Sequence, residues 1–427
     1  MNYEVKLITD PRTGESCHFV NHPSGLKIYV KEMPGFSTAH ALFATKYGSV
    51  NTTFKTKNDA DFVTVPEGIA HFLEHKLFEN EDCDVFELYA KTGADGNAFT
   101  SFDKTAYLFS CTKNFKESLA ILLDFVQKPY FTEASVEKEQ GIIAQEIKMG
   151  EDNPYNAVFY SLLGGLYANN PVKIDIAGTV ESISQITPDL LYRCYNTFYN
   201  LNNMVLSVAG NCKLEEVLEV ADKLLKPCEN VDLECVFPEE PKDVANKLVT
   251  KKMPVGIPLF ALGFKAEPSN DAIQLIKDEY ICSFLTNMIF GQSSRFFKEN
   301  IDAGLINSGF MPEVFCSDGY FTCILSGESK DPYELQKRVY AEIERVKKEG
   351  LDKQEFLDLK KARYASSIRM FADVMGYSML MMNTAFAGVE PYTAVEICAS
   401  LEFEELEPAL EKFLNPQYSS MSVVEPQ

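Results

Sequence analysis

The sequence predicts an α+β fold made of two repeats of similar design. Each half of the 427-residue chain has a β-prone apolar segment followed by several helical segments in the same order. Between the halves, residues 228–243 carry prolines and acidic side chains that interrupt any helical period. The 46% hydrophobic and 24% charged residues suit two folded cores. We therefore expect a first domain over 1–227, a linker over 228–243 and a second domain over 244–427.

The elements of the first half follow from apolar periodicity and helix-start signals. Thr187 followed by Pro188 is a typical helix beginning, because Thr caps the first free N–H groups and Pro suits the first turn. The same reasoning predicts a strand near 39–47, a helix containing 71–75, a helix over 115–127, a helix over 136–149 and a short helix after Pro188.

The second half repeats this order. Asp331 with Pro332 begins a helix that Gly350 ends, and Asp352 with Glu355 forms a capping box that begins the next. A strand near 259–265, a helix over 271–290 and a last helix near 404–413 complete the repeat. The methionines between 370 and 382 are expected on one long helix, where core packing is their default role.

The segment His71-Phe72-Leu73-Glu74-His75 carries most of a metal site within five residues. On a helix, positions i and i+4 share one face, so His71 and His75 can bind one metal ion. Glu74 lies beside them, where its carboxylate can take a proton from a water on that metal. This is the inverted zinc peptidase pattern H-x-x-E-H, and only five histidines occur in the whole chain.

A catalytic zinc needs three protein ligands and one open position. Glu139 and Glu146 are two helical turns apart, so they share a face of the helix predicted over 136–149. One of them can bind the metal while the other hydrogen-bonds a ligand. A solvent-exposed acidic face is the alternative for two glutamates taken alone.

The combination of HFLEH with the later AQEIKMGEDNP resembles the pitrilysin family, which includes insulin-degrading enzyme and mitochondrial processing peptidase. The resemblance implies one zinc ion per chain on His71, His75 and Glu146, with Glu139 supporting the site and Glu74 as the general base. It also implies peptide hydrolysis. For the fold, it implies two α+β repeats, each with helices on a mostly antiparallel sheet, that form half of a clamshell chamber.

A second motif between the two metal-site helices, GADGNAFTS over residues 93–101, resembles the family's edge strand beside the metal. The glycines indicate a turn, and the residues up to 110 are β-prone around a polar break at Asp103 and Lys104. A free edge can hold an extended peptide by main-chain hydrogen bonds. We expect the peptide substrate to contact Asn97, Ala98, Phe99 and Thr100, although an ordinary hairpin is the alternative.

All five histidines precede residue 76, so the second half has no comparable metal motif. In small-chain relatives the second repeat carries an Arg and a Tyr that bind the substrate main chain. Ile301 and Asn307 occupy those places here. The resemblance then favours the zinc-bearing subunit of a heterodimer, whose zinc-less partner chain of the same family supplies both groups. The alternatives are a self-sufficient monomer or homodimer, in which Arg295 does this work, and a non-catalytic scaffold subunit.

Charge and cysteine usage restrict partners and location. The net charge of −22 argues against nucleic acid and allows a preference for basic peptides, although an acidic surface also serves solubility. The first residues have no secretory signal pattern, and no apolar run is long enough to span a membrane. Eleven scattered cysteines without CxxC spacing suit reduced thiols. We expect a cytoplasmic protein.

Overall fold

The computed structural model of the protein describes residues 3–81 and 84–427. Its strands, in chain order, are β1 Val5–Thr9, β2 Ser16–Asn21, β3 Lys27–Glu32, β4 Ala39–Thr45, β5 Thr53–Lys55, β6 Val63–Thr64, β7 Asp95–Thr100, β8 Thr105–Cys111, β9 Met204–Gly210, β10 Glu234–Cys235, β11 Leu248–Met253, β12 Leu259–Ala266, β13 Met311–Ser317, β14 Tyr320–Glu328 and β15 Ser419–Pro426.

The α-helices in the same residues are α1 Ile69–Leu77, α2 Val85–Thr92, α3 Phe115–Phe125, α4 Glu133–Glu151, α5 Pro154–Leu166, α6 Val180–Ile183, α7 Pro188–Phe198, α8 Leu214–Leu224, α9 Ala272–Phe290, α10 Arg295–Asp302, α11 Pro332–Glu349, α12 Lys353–Met370, α13 Val374–Ala387, α14 Thr393–Ser400 and α15 Leu406–Phe413. Apart from the methionine-rich segment, the strands and helices predicted from the sequence are present. The predicted caps also form, since Thr187, Asp331 and Asp352 each accept a backbone N–H of the helix that follows.

The chain folds into two compact units, each discontinuous in sequence. The first comprises residues 1–147, 175–236 and 367–393, and the second comprises 148–174, 237–366 and 394–427. The division after residue 236 lies inside the predicted linker. The sequence prediction treats both domains as continuous, whereas α5 belongs to the second unit and α13 to the first.

The first unit is built on a seven-stranded sheet in the order β1-β2-β3-β9-β4-β8-β7. All its pairs are antiparallel except β3 with β9, as expected for a mostly antiparallel sheet. Every residue of β4 and β9 is buried, because the sheet is covered on both faces. Ala41 and Phe43 of β4 join the core with the helices on one face, while His40 points to Ser378 of α13.

A five-stranded sheet in the second unit has the order β11-β15-β12-β14-β13. Again one pair is parallel, β11 with β15, and the others are antiparallel. The order β3-β9-β4-β8-β7 of the first unit therefore has a counterpart strand for strand, and the predicted repeat is confirmed. Helix α5 packs closely on this sheet, since a Cβ at Gly165 would lie 2.3 Å from the Ser420 hydroxyl.

The segment predicted as a linker is ordered by pairing at both ends. Its strand β10 pairs with β5 in a small sheet of the first unit. In the second unit, the Glu240 carboxylate accepts hydrogen bonds from the backbone N–H groups of Ala168, Asn169 and Asn170 at 2.7–2.8 Å and from Lys265 Nζ at 2.7 Å. The connection between the units is thus held by side-chain and main-chain contacts.

The methionine-rich segment corrects one sequence prediction. Residues 370–382 do not form one long helix, because α12 ends at Met370 and α13 begins at Val374. The Asp373 side chain accepts the N–H of Gly376 and so caps a new helix at this point. Met381 and Met382 are buried as expected for core residues, whereas Met375 is exposed.

Among the described residues, none of the helices has both the length and the apolarity needed to cross a bilayer.

Candidate active site

Helix α1 presents three polar side chains on the side opposite its buried face. Ile69, Ala70, Phe72, Leu73 and Leu77 are buried in the first unit's core. His71, Glu74 and His75 therefore lie together on the other side, as the 3.6-residue period requires. The imidazole rings of His71 and His75 have centroids 4.5 Å apart.

Helix α4 brings both predicted glutamates to this face of α1. Glu146 places Oε1 3.7 Å from His71 Nε2 and Oε2 3.6 Å from His75 Nε2. Glu139 Oε1 lies 2.9 Å from His75 Nδ1, and because a carboxylate can only accept, Nδ1 carries the hydrogen. When the ring is neutral, as a metal ligand must be, this tautomer leaves the Nε2 lone pair of His75 directed toward Glu146.

The donor atoms fit a zinc ion. One ligand atom each from His71, His75 and Glu146 lie within 4.8 Å of one another. Bonds of the usual Zn–N and Zn–O length in a tetrahedron place neighbouring ligand atoms roughly 3.4 Å apart. Each histidine Nε2 lies 3.6–3.7 Å from one of the two Glu146 oxygens, so small side-chain adjustments would bring the three ligands to that spacing. Two His and one Glu are also the ligand set of a catalytic rather than a structural zinc. The residues present suit the metal.

Glu74 is oriented by a contact that the sequence analysis did not identify. The Thr100 hydroxyl, at the end of β7, donates a hydrogen bond of 2.7 Å to Glu74 Oε2. The sequence groups Thr100 only with the substrate-binding strand. A hydrogen bond between a hairpin and a helix depends on tertiary packing, and no local pattern indicates it.

Burial sets the electrostatics of these groups in the metal-free chain. Burial, followed by the neighbouring charge of His75, lowers the pKa of His71 to about 4. Burial also raises the pKa of Glu74 despite its hydrogen bond from Thr100. For Glu139, burial acts upward but the hydrogen bond and charge of His75 dominate, so its pKa is lowered. His71 is therefore neutral near pH 7, as a metal ligand must be.

The predicted substrate strand is an edge of the sheet. β7 pairs only with β8 on one side and is the last strand in the order of the described residues. Asn97 is exposed, while Ala98, Phe99 and Thr100 are half-buried. The outer main-chain groups of an edge strand can bind an extended peptide.

The second unit holds Ile301 and Asn307, the two residues that the sequence comparison with the family expects in place of an Arg and a Tyr. Ile301 packs partly buried against the second core, and Asn307 donates to Glu328 at 2.6 Å. The alternative cation, Arg295, forms ion pairs with Glu342 at 3.0 Å and Glu299 at 3.5 Å. Its guanidinium is thus engaged by carboxylates of its own unit.

Comparison with known proteins identifies the family of the chain. Residues 65–180 match the model of the insulinase family, peptidase family M16, and residues 185–363 match the model described as the peptidase M16 inactive domain. The second description agrees with the lack of histidines after residue 75.

Individual relatives cover most of the chain. The uncharacterized zinc protease YmfH of Bacillus subtilis is 40% identical over 339 residues, which are 78% of this chain and 79% of that protein. The crystal structure of an M16-like peptidase from Alicyclobacillus acidocaldarius has a TM-score of 0.91 at 31% identity and covers 100% of this chain and 99% of that one.

A probable mitochondrial-processing peptidase subunit beta of Schizosaccharomyces pombe is 29% identical over 205 residues, 47% of this chain and 43% of that protein. Zinc proteases are therefore the named relatives of this chain, and the predicted resemblance is confirmed. The sequence, the fold and these matches together place the chain in peptidase family M16, the insulinase or pitrilysin family.

Proposed function

We propose that this chain is a zinc-dependent metalloendopeptidase that hydrolyses peptides or unfolded precursor segments. The observation that carries the proposal is the placement of Glu74 beside the His71, His75 and Glu146 ligand set. A metal-storage or structural zinc site would not need a carboxylate in this place, and structural sites are usually closed by four protein ligands.

The residues divide the chemistry between them. His71, His75 and Glu146 would hold a zinc ion, which when bound acidifies a water and polarises a peptide carbonyl. Glu139 fixes the ring of His75 through Nδ1. Glu74 accepts a proton from the attacking water and returns it to the leaving amine nitrogen. The raised pKa of Glu74 suits a group that both takes and gives a proton.

The substrate is proposed to add to β7 as a further strand. Main-chain hydrogen bonds would hold it along Asn97, Ala98 and Phe99 with little dependence on side chains. The end of the same strand reaches Glu74 through Thr100. A peptide in this register would therefore run past the ligand set.

A partner chain is the second part of the proposal. Ile301 offers neither charge nor hydrogen bond to a substrate, and Asn307 already donates to Glu328. Arg295 is paired with two glutamates. These contacts favour a zinc-less second chain as the source of an Arg and a Tyr. The relative named as a mitochondrial-processing peptidase subunit supports assembly with another chain as a route in this family.

Two alternatives make different predictions. A self-sufficient monomer or homodimer would cleave peptides with no second kind of chain present. A scaffold subunit that has kept the ligand set by descent would bind zinc but cleave nothing, alone or with its partner.

The metal assignment is tested by zinc content and peptide turnover in single-residue variants. We expect about one zinc per wild-type chain and loss of both metal and turnover in His71→Ala and Glu146→Gln, because two protein ligands bind zinc weakly. Glu137→Gln is the matched control, since Glu137 is exposed on the same helix. Zinc retained by both ligand variants would contradict the proposed site.

The partner is tested by purifying the tagged chain from its own host and identifying co-eluting proteins by mass spectrometry. The proposal expects a family member of similar size in equal amount, with Arg and Tyr at the places of Ile301 and Asn307. A chain recovered alone that cleaves peptides at an ordinary enzyme rate would reject the partner.

We propose a cytoplasmic location from the state of the cysteine side chains. Seven of the described cysteines are buried free thiols. Reduced thiols are usual in the cytoplasm and rare in oxidising compartments. Cell fractionation followed by detection of the chain tests this directly.

A further inference from the structure

We propose that Thr100 is a positioning residue for Glu74, whose carboxylate it fixes through a hydroxyl held by the β7–β8 hairpin. This inference rests on the proposed function, because Glu74 matters here as the general base. It assigns Thr100 a different role from Asn97, Ala98 and Phe99, which are proposed to contact the substrate.

Thr100 forms a direct hydrogen bond with Glu74. Thr100 Oγ1 donates to Glu74 Oε2 at 2.7 Å, the distance of a strong hydrogen bond to a carboxylate. A glutamate side chain has three rotatable bonds and can point in many directions from a helix. Binding one carboxylate oxygen removes most of this freedom and leaves the other oxygen for proton transfer.

Thr100 is itself held in place by the residue opposite it in the hairpin. It pairs with Thr105 across the hairpin. The fully buried Thr105 hydroxyl lies 2.8 Å from the Tyr47 carbonyl oxygen and 3.4 Å from Thr100 Oγ1. A line of polar contacts therefore leads from the sheet interior to Glu74.

The turn of this hairpin is bound to the loop that follows β4. Ser49 N donates to Ser101 O at 3.1 Å and Val50 N donates to Phe102 O at 3.0 Å. Gly48 allows this approach, because a Cβ there would lie 2.4 Å from backbone atoms of the turn. The hairpin end is thus fixed by main-chain bonds, and Thr100 with it.

Strand β7 would position both the general base Glu74 and the peptide substrate. Side chains alternate along a strand, so Thr100 shares a face with Ala98, which packs against the core beside α1. The outer edge of β7 remains for the peptide main chain. The distance between the scissile bond and Glu74 would then be set by a single strand.

The test compares Thr100→Val and Thr100→Ser with wild type and with Thr64→Val, an exposed threonine of β6 in the same unit. Each protein is studied zinc-loaded and together with any partner chain that co-purifies. The measurements are zinc content, thermal unfolding, kcat and KM for one peptide, and crystal structures of wild type and Thr100→Val.

We expect Thr100→Val to lower kcat about tenfold to a hundredfold, the usual cost of a misplaced catalytic group, with zinc content, unfolding temperature and KM little changed. Its crystal structure should have the Glu74 carboxylate displaced. Thr100→Ser, which keeps the hydroxyl, should restore kcat, and Thr64→Val should resemble wild type.

Several results would overturn the inference. These are an unchanged kcat in Thr100→Val, a raised KM with normal kcat, loss of zinc or of cooperative unfolding, failure of Thr100→Ser to restore kcat, and an unmoved Glu74 in the crystal. If wild type itself cleaves no peptide, the proposed function fails instead, and the position of Glu74 in the two crystal structures still decides this inference.

Discussion

At the scale of single residues, the site depends on side chains that hold the ligands as well as on the ligands themselves. Glu139 illustrates this, because its carboxylate accepts the Nδ1 hydrogen of His75 at 2.9 Å. The sequence identified Glu139 and Glu146 as a pair on one helical face, and the resemblance assigned their roles. The structure adds which atoms meet.

Replacing Glu139 by glutamine should weaken zinc binding without removing it. The amide keeps the size of the side chain but loses the charge that orients His75 and increases its basicity, so we expect a loss of about tenfold to a hundredfold in zinc affinity. Competition with a chelator of known affinity measures this. Glu137→Gln serves as the control, and equal affinities in the two variants would remove the supporting role of Glu139.

At the scale of elements, local sequence signals predicted the positions of most helices. The features that they did not predict depend on tertiary packing. Asp331 with Gly350 predicted the two ends of α11, and the structure has the helix between them. The break between α12 and α13 was missed, because the methionines between 370 and 382 were assigned to a single helix and the cap at Asp373 was not identified. The placement of α5 and α13 in different units from their chain neighbours has no local signal, because both helices are simply apolar.

The β7–β8 hairpin gives a prediction at this scale. Gly48→Ala introduces a Cβ 2.4 Å from the backbone of Phe102 and Asp103, so the turn must shift. We expect a loss of about 1–3 kcal/mol in the free energy of unfolding, as for other overpacked sites, and lower peptide turnover.

Chemical denaturation and a turnover assay measure both effects of Gly48→Ala. Gly141→Ala is a suitable control, because nothing lies within 4 Å of its added Cβ. Wild-type stability in Gly48→Ala would contradict the close docking of the turn.

At the scale of the whole molecule, buried histidine makes stability depend on pH. His40 is 2% exposed, and burial lowers its pKa to about 4 although the charge of Asp373 acts in the opposite direction. The unfolded chain has a histidine pKa near 6.5. Below about pH 6.5 the unfolded state binds a proton at His40 that the folded state does not bind. The contribution of His40 to the free energy of unfolding is therefore complete above about pH 6.5 and decreases toward pH 4.

Replacing His40 by glutamine should flatten this dependence. At most, His40 accounts for roughly 3 kcal/mol of the free energy of unfolding between those two pH values, because its pKa is about 4 in the folded chain and near 6.5 in the unfolded chain. Urea unfolding at several pH values measures how the free energy of unfolding changes with pH. A chelator is present in all samples so that metal release does not contribute. An identical slope in wild type and His40→Gln would contradict a neutral buried His40.

The fold class and the repeat were accessible from the sequence, and the strand-by-strand match of the two sheets bears them out. Helical periodicity also predicted that His71 and His75 share one face and that Glu139 and Glu146 share another, whereas the choice of Glu146 as the ligand came from the family resemblance. Contacts made between distant elements, such as Thr100 with Glu74 and Glu240 with residues 168–170, were not.

Glu74 is proposed as the general base of a zinc peptidase, and peptide turnover measured together with zinc content in Glu74→Gln tests this role. Glutamine keeps the shape and the hydrogen bond from Thr100 but cannot take a proton. We predict unchanged zinc and at least a roughly hundredfold loss of turnover, the usual range for general base catalysis. Normal turnover in a Glu74→Gln protein that still binds zinc would contradict the mechanism.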